Sequence, residues 1–349
     1  MIENKYEFKR NDNTSVNYDR QVKLLNMVNE INYSLNKDCS NCNLKNMYEN
    51  NEHAEWMLDT LLKFSHYNLE SYKSLDLSLN LETSKSKHQD KVVELFNFYL
   101  SEYNNSSSYN FKHLFINGMM SAFVIDQVLN VHLENTKLSN NDNLVENKNY
   151  TEMEHSWDQA FGLVFGLGDK DILLNKYLSS NDGVNDKLFK MFKDGREAIV
   201  MKNYNLVHLQ ILNIRKLISD ILLENAINHV KETLKNENSN EDKLNNLNLI
   251  INSSFNLLYS NFDGKSHLTM DELLKLGLFN HNDNKLRLTD HNDLLNSKKL
   301  DVYYTYLLKK NANMKAVIKI KTFTHEFESK VVDGNTVQMK SEQKLKLNM

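Results

Sequence analysis

An all-α fold is the class this sequence predicts, and three observations predict it. Proline is absent and glycine occurs only nine times in 349 residues, which removes most of the punctuation that strands and tight turns need. Apolar residues recur at three- and four-residue spacing over long stretches, the longest from Leu206 to Leu234, as one buried face of a helix requires. An apolar share of 40% with 10% aromatic residues is enough for a packed core and is unlike a disordered chain. The length suits two domains, or one domain built of two similar halves.

Taken in order, Tyr6 to Phe8 reads as a short extended lead-in, and Asp19 to Asn36 carries Val22, Leu24, Leu25, Val28, Ile31 and Leu35 at helical spacing. Leu44 to Leu62 continues helically, with Trp56, Leu58, Leu61 and Leu62 toward the core. Leu69 to Leu81 alternates weakly and reads as extended or as an ordered loop. Lys87 to Tyr103 and Phe111 to Glu134 are strong helical patterns split at Asn104 to Ser108, and they are expected to pair antiparallel. Gly118 and Ala122 in the second suit a close helix approach. The polar loop Asn135 to Asn149 is the best internal boundary. It divides the chain into an N-terminal half, 1–145, a C-terminal half, 146–315, and a tail, 316–349.

Beyond that loop, helices are expected over Lys170 to Leu178, Asn185 to Met201, Leu206 to Leu234 and Asp242 to Leu258. The run Asn261 to Leu273 looks superficially like a calcium loop, but Lys265 stands at the fifth position and Ser266 at the glycine position. The favoured reading there is a capping box, with Thr269 as N-cap and Glu272 reaching back. Thr289 starts a second such turn, leading to a helix over Leu294 to Leu308. From Ala316 the pattern alternates and then becomes polar.

The densest chemistry lies in Glu152 to Gly168, EMEHSWDQAFGLVFGLG. It holds one of two tryptophans and three of the nine glycines, Gly162, Gly166 and Gly168. At about 100° per residue, Glu154, His155, Asp158 and Gly162 share one side of a helix, and Met153, Trp157, Ala160 and Val164 another. The i,i+4 and i,i+3 spacings allow Glu154, His155 and Asp158 to converge on one point. Gly162 removes a side chain that would crowd it. Two readings follow: a ligand cluster for a metal or a buried polar site, or an N-terminal turn whose acids favour the helix dipole beside a core tryptophan. Arg196, one of five arginines, lies in an apolar stretch and either forks onto a carboxylate of this motif or sits on the surface.

Composition excludes some functions. Forty-two basic against forty-six acidic residues give a net charge of −4, so there is no electrostatic case for nucleic acid. No run of 18 apolar residues and no charged-then-apolar leader occurs, which predicts a soluble chain. Cys39 and Cys42 supply only half of a four-ligand zinc site and lack the thioredoxin context, so a loop disulfide or two idle thiols is expected. His113 and His132 stand isolated, and His229 and Glu224 lack i,i+4 partners that would make a metal motif.

The run KNYTEMEHSWDQAFG, followed by FKDGREAI, resembles an imelysin-like family of bacterial secreted proteins and lipoproteins, with its E-H-x-W-D-E-A-[FY]-G and G-R-x-A-I motifs. The lead-in YEFKRNDNTSVNYDRQVKLLNMVNEI and GMMSAFVIDQV are also similar, so the likeness spans about residues 5 to 310. Glu154, His155, Trp157, Asp158, Ala160, Gly162, Gly195 and Arg196 match the pattern. Gln159 and Leu163 depart from it, and the imelysin G-x-H-x-x-E signature is unmatched. The resemblance implies a helical bundle of two halves, a periplasmic or cell-surface setting, and a role in iron uptake beside an envelope partner. On it rests the expectation of a non-enzymatic protein holding iron or an iron-bearing ligand at Glu154, His155 and Asp158, with Arg196 organising them. A metallopeptidase would need an H-E-x-x-H pattern, which is absent. The competing reading is a structural or partner-binding scaffold in which these charges form a buried salt-bridged network.

Overall fold

The computed structural model describes residues 5–36, 98–99, 101–102, 109–138, 143–168, 173–178, 183–235, 239–262, 266–282, 285–296, 298–313 and 315. The cysteine pair, the helix expected over 44–62, the stretch 69–81, most of 87–103 and the tail from 316 lie outside them. The described residues up to Tyr304 form one compact unit. In the second unit, 305–349, residues 305–313 are helical.

The fold is all-α. A two-residue hairpin, β1 (Lys9–Arg10) and β2 (Asn13–Thr14), opens it. Asn11 and Asp12 make the turn at positive φ, 50° and 61°, the geometry that short asparagine and aspartate side chains tolerate and two-residue hairpins need. Helix α1 (Asp19–Asn36) buries Leu24, Leu25, Val28 and Ile31 on the stripe that the spacing predicts. Helix α2 runs over 111–138 and widens into π-helical turns at Leu114–Met120 and Gln127–His132. Wider turns leave carbonyls without their usual helical partners, and side chains from elsewhere take up two of them. Asn117 O accepts from Tyr177 Oη at 2.8 Å, and Leu129 O from Arg215 Nε and Nη2 at 2.9 and 2.7 Å. By length and composition 111–137 could cross a membrane, but 88% of its apolar window is buried inside the protein.

Helix α3 (Glu152–Phe165) is packed against α1, α2 and α5. After α4 (Leu174–Leu178) come α5 (Val184–Val200), α6 (Tyr204–Thr233) and α7 (Asn240–Leu258), which pack side by side in chain order and carry much of the core. Helix α8 (Met270–Lys275) begins with the expected capping box: Thr269 Oγ1 accepts from the Glu272 amide, and Glu272 Oε2 from the Thr269 amide.

Near the end one element stands where no expectation was set, and one helix start is shifted. Residues 279–288 form a hairpin, β3 (Phe279–Asn282) with β4 (Lys285–Leu288). Helix α9 (His291–Asn296) is capped one residue later than expected, by Asp290, whose Oδ1 accepts from the Asn292 and Asp293 amides at 2.9 and 3.3 Å. Residues 299–304 are then helical.

The packing of α3 on α5 depends on one missing side chain. Trp157 is fully buried, and its indole N–H donates to Phe192 O at 2.8 Å. A Cβ on Gly195 would sit 2.1 Å from Trp157 Cζ2. Gly195→Ala should therefore cost about 1–3 kcal/mol or more through overpacking, read as a lower urea midpoint at unchanged m-value. A variant as stable as wild type would mean the two helices do not meet at this point.

Candidate functional site

Thr151 sets the start of α3. Its Oγ1 accepts from the Glu154 amide at 3.2 Å, while Glu154 Oε2 accepts from the Thr151 amide at 2.8 Å, a complete capping box. The box aims the Glu154 carboxylate back along the first turn. Asp158, one turn on, stands on the same side.

Arg196 of α5 reaches both carboxylates. Its Nη1 donates to Glu154 Oε1 at 2.8 Å and its Nε to Asp158 Oδ1 at 3.0 Å, while Nη2 donates to Ser15 Oγ at 3.1 Å and Ser15 O at 3.3 Å. The guanidinium is wholly buried, so five donors in a fixed fork are all but spent on named acceptors.

The other half of the site comes from the arm that precedes α1. Arg10 makes a two-pronged contact with Glu154, Nη2 to Oε1 and Nη1 to Oε2, both at 3.0 Å. Tyr6 Oη donates to Asp158 Oδ1 at 2.6 Å, and its ring stacks on Phe161 at 3.6 Å between centroids. Phe8 lies against the Arg196 guanidinium, 4.9 Å from its ring centre, a cation–π contact. Asn149 clamps the hairpin: its Nδ2 lies 3.0, 3.0 and 3.1 Å from the carbonyls of Arg10, Asn13 and Thr14, and its own carbonyl accepts from Arg10 Nη1 at 3.1 Å.

The cluster holds two cations and two anions, and its electrostatics follow from burial and partners. Burial alone would raise the Glu154 carboxyl, but Arg196, the Thr151 amide and Arg10 together hold it below the usual value. At Asp158 burial prevails over Arg196 and the Tyr6 hydrogen bond and pushes the carboxyl up to about 6. Tyr6 is raised by burial first and then by Asp158, so it stays a phenol and a donor. Asp158 Oδ2 is buried without a hydrogen-bond partner.

The expected convergence of three ligands does not occur. Glu154 and Asp158 meet around Arg196, but His155 turns away to stack on Tyr150, 4.5 Å between centroids and 13° from parallel, and it takes a hydrogen bond with the Asn17 backbone. The physical reason is that both oxygens of Glu154 already accept two donors each, which leaves no face for a shared ion. Among the described residues no three His, Cys, Asp or Glu side chains are placed to hold a metal. Gly162 also has another role than the one expected: a Cβ there would lie 2.4 Å from Tyr18 Cβ, so it makes room for the end of the arm. Trp157 of α3 meets Gly195 of α5 in a buried contact, and Ala160 is fully buried.

A family model described as a domain of unknown function, DUF4856, matches residues 3–110 and 100–276. The chain belongs to that family. The match takes in the arm, α3 and Arg196, so the whole cluster lies inside the DUF4856 domain. Membership assigns no activity and no imelysin relationship. No curated protein and no solved structure matches the chain.

Sequence reasoning missed Tyr6, Arg10, Ser15, Tyr18 and Asn149. A signal was present in KYEFKR, where Tyr6, Phe8 and Arg10 alternate with Lys5, Glu7 and Lys9; Lys5, Glu7 and Lys9 are exposed, while Tyr6, Phe8 and Arg10 are half-buried, the period-2 pattern of an extended segment lying on a surface. His132, read from the sequence as an isolated histidine, is buried on α2 where that helix packs against α3. Both of its ring nitrogens are buried without a partner.

These groups set opposing pH dependences. Burial, then His155 and Arg20, lowers the His132 imidazole from 6.5 to about 3. Its stabilisation is complete above 6.5 and is lost as pH falls. Glu154, also depressed, acts in the same direction at lower pH. Asp158 is raised from 3.8 to about 6, so its stabilisation is complete below 3.8 and is lost as pH rises through 6. His132→Leu should remove roughly 2–3 kcal/mol of the stability lost between neutrality and about pH 4.5, at 1.36 kcal/mol per pH unit. Urea midpoints across that range check it, and an unchanged slope would place the acid sensitivity elsewhere.

Proposed function

We propose that this DUF4856 domain is a non-enzymatic, partner-binding helical scaffold, in which the EHSWDQAFG motif and Arg196 fasten the arm preceding α1 onto α3 and α5. The observation that carries this reading is the saturation of Glu154: four donors from Thr151, Arg10 and Arg196 occupy its two oxygens. A carboxylate so engaged holds structure together and has nothing left to offer a substrate. Buried charges are retained where they are paired, and a paired network fixes which segments can meet, a specificity role for which buried ion pairs have precedent.

A second reading keeps the imelysin likeness: an iron-uptake protein at the periplasmic or cell surface that binds iron or an iron-bearing ligand. The observation favouring it is a pair of imidazoles on packed helices, buried His132 with two unpartnered ring nitrogens and half-buried His155 with a buried, unpartnered Nδ1. Imidazole nitrogen suits iron, copper, zinc or nickel. In this reading His155 is the surviving member of the expected ligand set. Glu154 and Asp158 would have to leave Arg196 before binding a metal.

The two readings separate in one set of measurements. As a scaffold, the protein should lose about 3–5 kcal/mol in Arg196→Met, which strands two buried carboxylates. Arg10→Ala should cost about 1–3 kcal/mol, since Arg10 is 30% exposed. Metal content should be the same in both variants as in wild type. Purified protein that takes up ferrous or ferric iron and loses it in His155→Ala would favour the second reading. Wild type that binds neither ion removes it.

A further inference from the structure

Away from the Arg196 cluster, polar atoms without a hydrogen-bond partner recur on three helices that pack on one another. Both ring nitrogens of His132, Nδ1 of His155 and Oε1 of Gln21 are buried and unmatched. His132 closes the second π-helical stretch of α2, an irregularity found frequently at functional sites. That stretch packs on α3, which carries His155, and α3 packs on α1, which carries Gln21 in its first turn. Charge on His132 is opposed by His155 and by Arg20, the neighbour of Gln21, so both stand near its ring. His155 in turn meets the backbone of Asn17, four residues before Gln21. The unmatched side chains thus gather around the start of α1.

What these atoms lack is specific. In a neutral imidazole, the hydrogen bond made by one nitrogen decides which nitrogen keeps the lone pair. The Asn17 carbonyl takes the His155 ring proton, and because Nδ1 has no partner, that proton is on Nε2. Nδ1 is therefore a bare lone pair. Gln21 Oε1 offers a second, and buried neutral His132 a third on one of its two nitrogens. Three lone pairs against a single unmatched N–H call for an acceptor of electron pairs. A histidine that gives its other ring proton to a backbone carbonyl is also the usual setting of a metal ligand, and Tyr150, stacked on the ring, fixes its plane. No carboxylate of the described residues joins the set, and Glu152 acts on His155 through space alone, so the site is expected to bind less tightly than one with charged ligands.

We propose that His132, His155 through Nδ1 and Gln21 through Oε1 form a buried site for one late first-row divalent cation, zinc above all, which staples α1, α2 and α3 together. Two imidazoles and a carboxamide oxygen suit such an ion better than calcium or magnesium, which take oxygen ligands. Zinc also accepts three protein ligands with a water in the fourth place. The inference shares His155 with the iron reading but does not rest on it: Glu154 and Asp158 stay with Arg196, and the arm stays fastened.

The test titrates cobalt(II), a spectroscopic stand-in for zinc, into the full chain near neutral pH after chelation has removed any bound metal. The expected result is saturation at one equivalent, with the visible bands of a low-coordinate cobalt site, and displacement by one equivalent of zinc. His132→Leu should abolish the bands while its far-ultraviolet circular dichroism stays that of wild type, since leucine fills the buried position without unmatched nitrogens. Gln21→Leu should weaken zinc binding by at least about tenfold, and it carries the test should His132→Leu not fold. Zinc binding unchanged in either variant belongs to other histidines and overturns the site. Wild type that takes up neither ion overturns it too, and the unmatched nitrogens then hold water alone. Zinc bound through His132 with no uptake of iron supports the inference and removes the iron reading. Iron that is lost in His155→Ala, without any zinc uptake by wild type, does the reverse.

Discussion

A guanidinium buried in a protein interior must find anions, and the arrangement around Arg196 supplies most of what fixes the α3 region of this fold. Two carboxylates one helical turn apart, Glu154 and Asp158, receive it. They over-compensate by one charge, and Arg10 brings the balance to zero. The price of burying Arg196 is thus a second arginine brought from the other side of a loop, and with it the segment that carries Tyr6, Phe8 and Ser15. Neutrality explains why the arm is fastened where it is, since low local polarity makes an unpaired charge far costlier than any single lost contact.

The motif halves are coupled residue by residue. Trp157 and Asp158 are neighbours on α3, and Gly195 and Arg196 are neighbours on α5. Gly195 leaves the space that Trp157 fills, and Arg196 takes the carboxylate that Asp158 presents. Helix packing and ion pairing therefore share one register, and sliding either helix by a residue would break both. Gly162 repeats the device toward the arm by admitting Tyr18. Elsewhere the core handles polarity in a similar way. The widened turns of α2 release backbone carbonyls that Arg215, Tyr177 and Asn256 bind, so irregular helix geometry is tied to specific side chains.

Local signals in the sequence carried much of the helical framework. Helix α1 begins and ends where its apolar spacing does, α5, α6 and α7 lie within two residues of their periodic patterns at each end, and α3 stops three residues short of the stretch it was read from. The Thr269–Glu272 box is a short-range chemical signature and was legible as such. The site was legible in part: the i,i+4 carboxylates are a property of α3 alone, and the arginine fork follows from a cation in an apolar stretch. His155 was misplaced because helical geometry puts it close enough to converge, while Tyr150 and the Asn17 backbone decide where it turns. The arm was missed because Arg10 and Glu154 are 144 positions apart, and no local period encodes such a pairing. The 279–288 hairpin escaped because its strands are only four residues each, too short for alternation to stand out, although Asn282-Asp283-Asn284 where they join was a turn signal.

Native-state hydrogen exchange tests the central claim most directly, that the buried carboxylates hold the arm as part of the fold. The Ser15 amide donates to Phe8 O within the arm at 2.9 Å, and the Thr151 amide donates to Glu154 at 2.8 Å. If the arm is fastened through Arg196, both amides should be protected in wild type and open in the same event, and both should lose protection together in Arg196→Met. A Ser15 amide that exchanges freely in wild type while Thr151 stays protected would contradict the account.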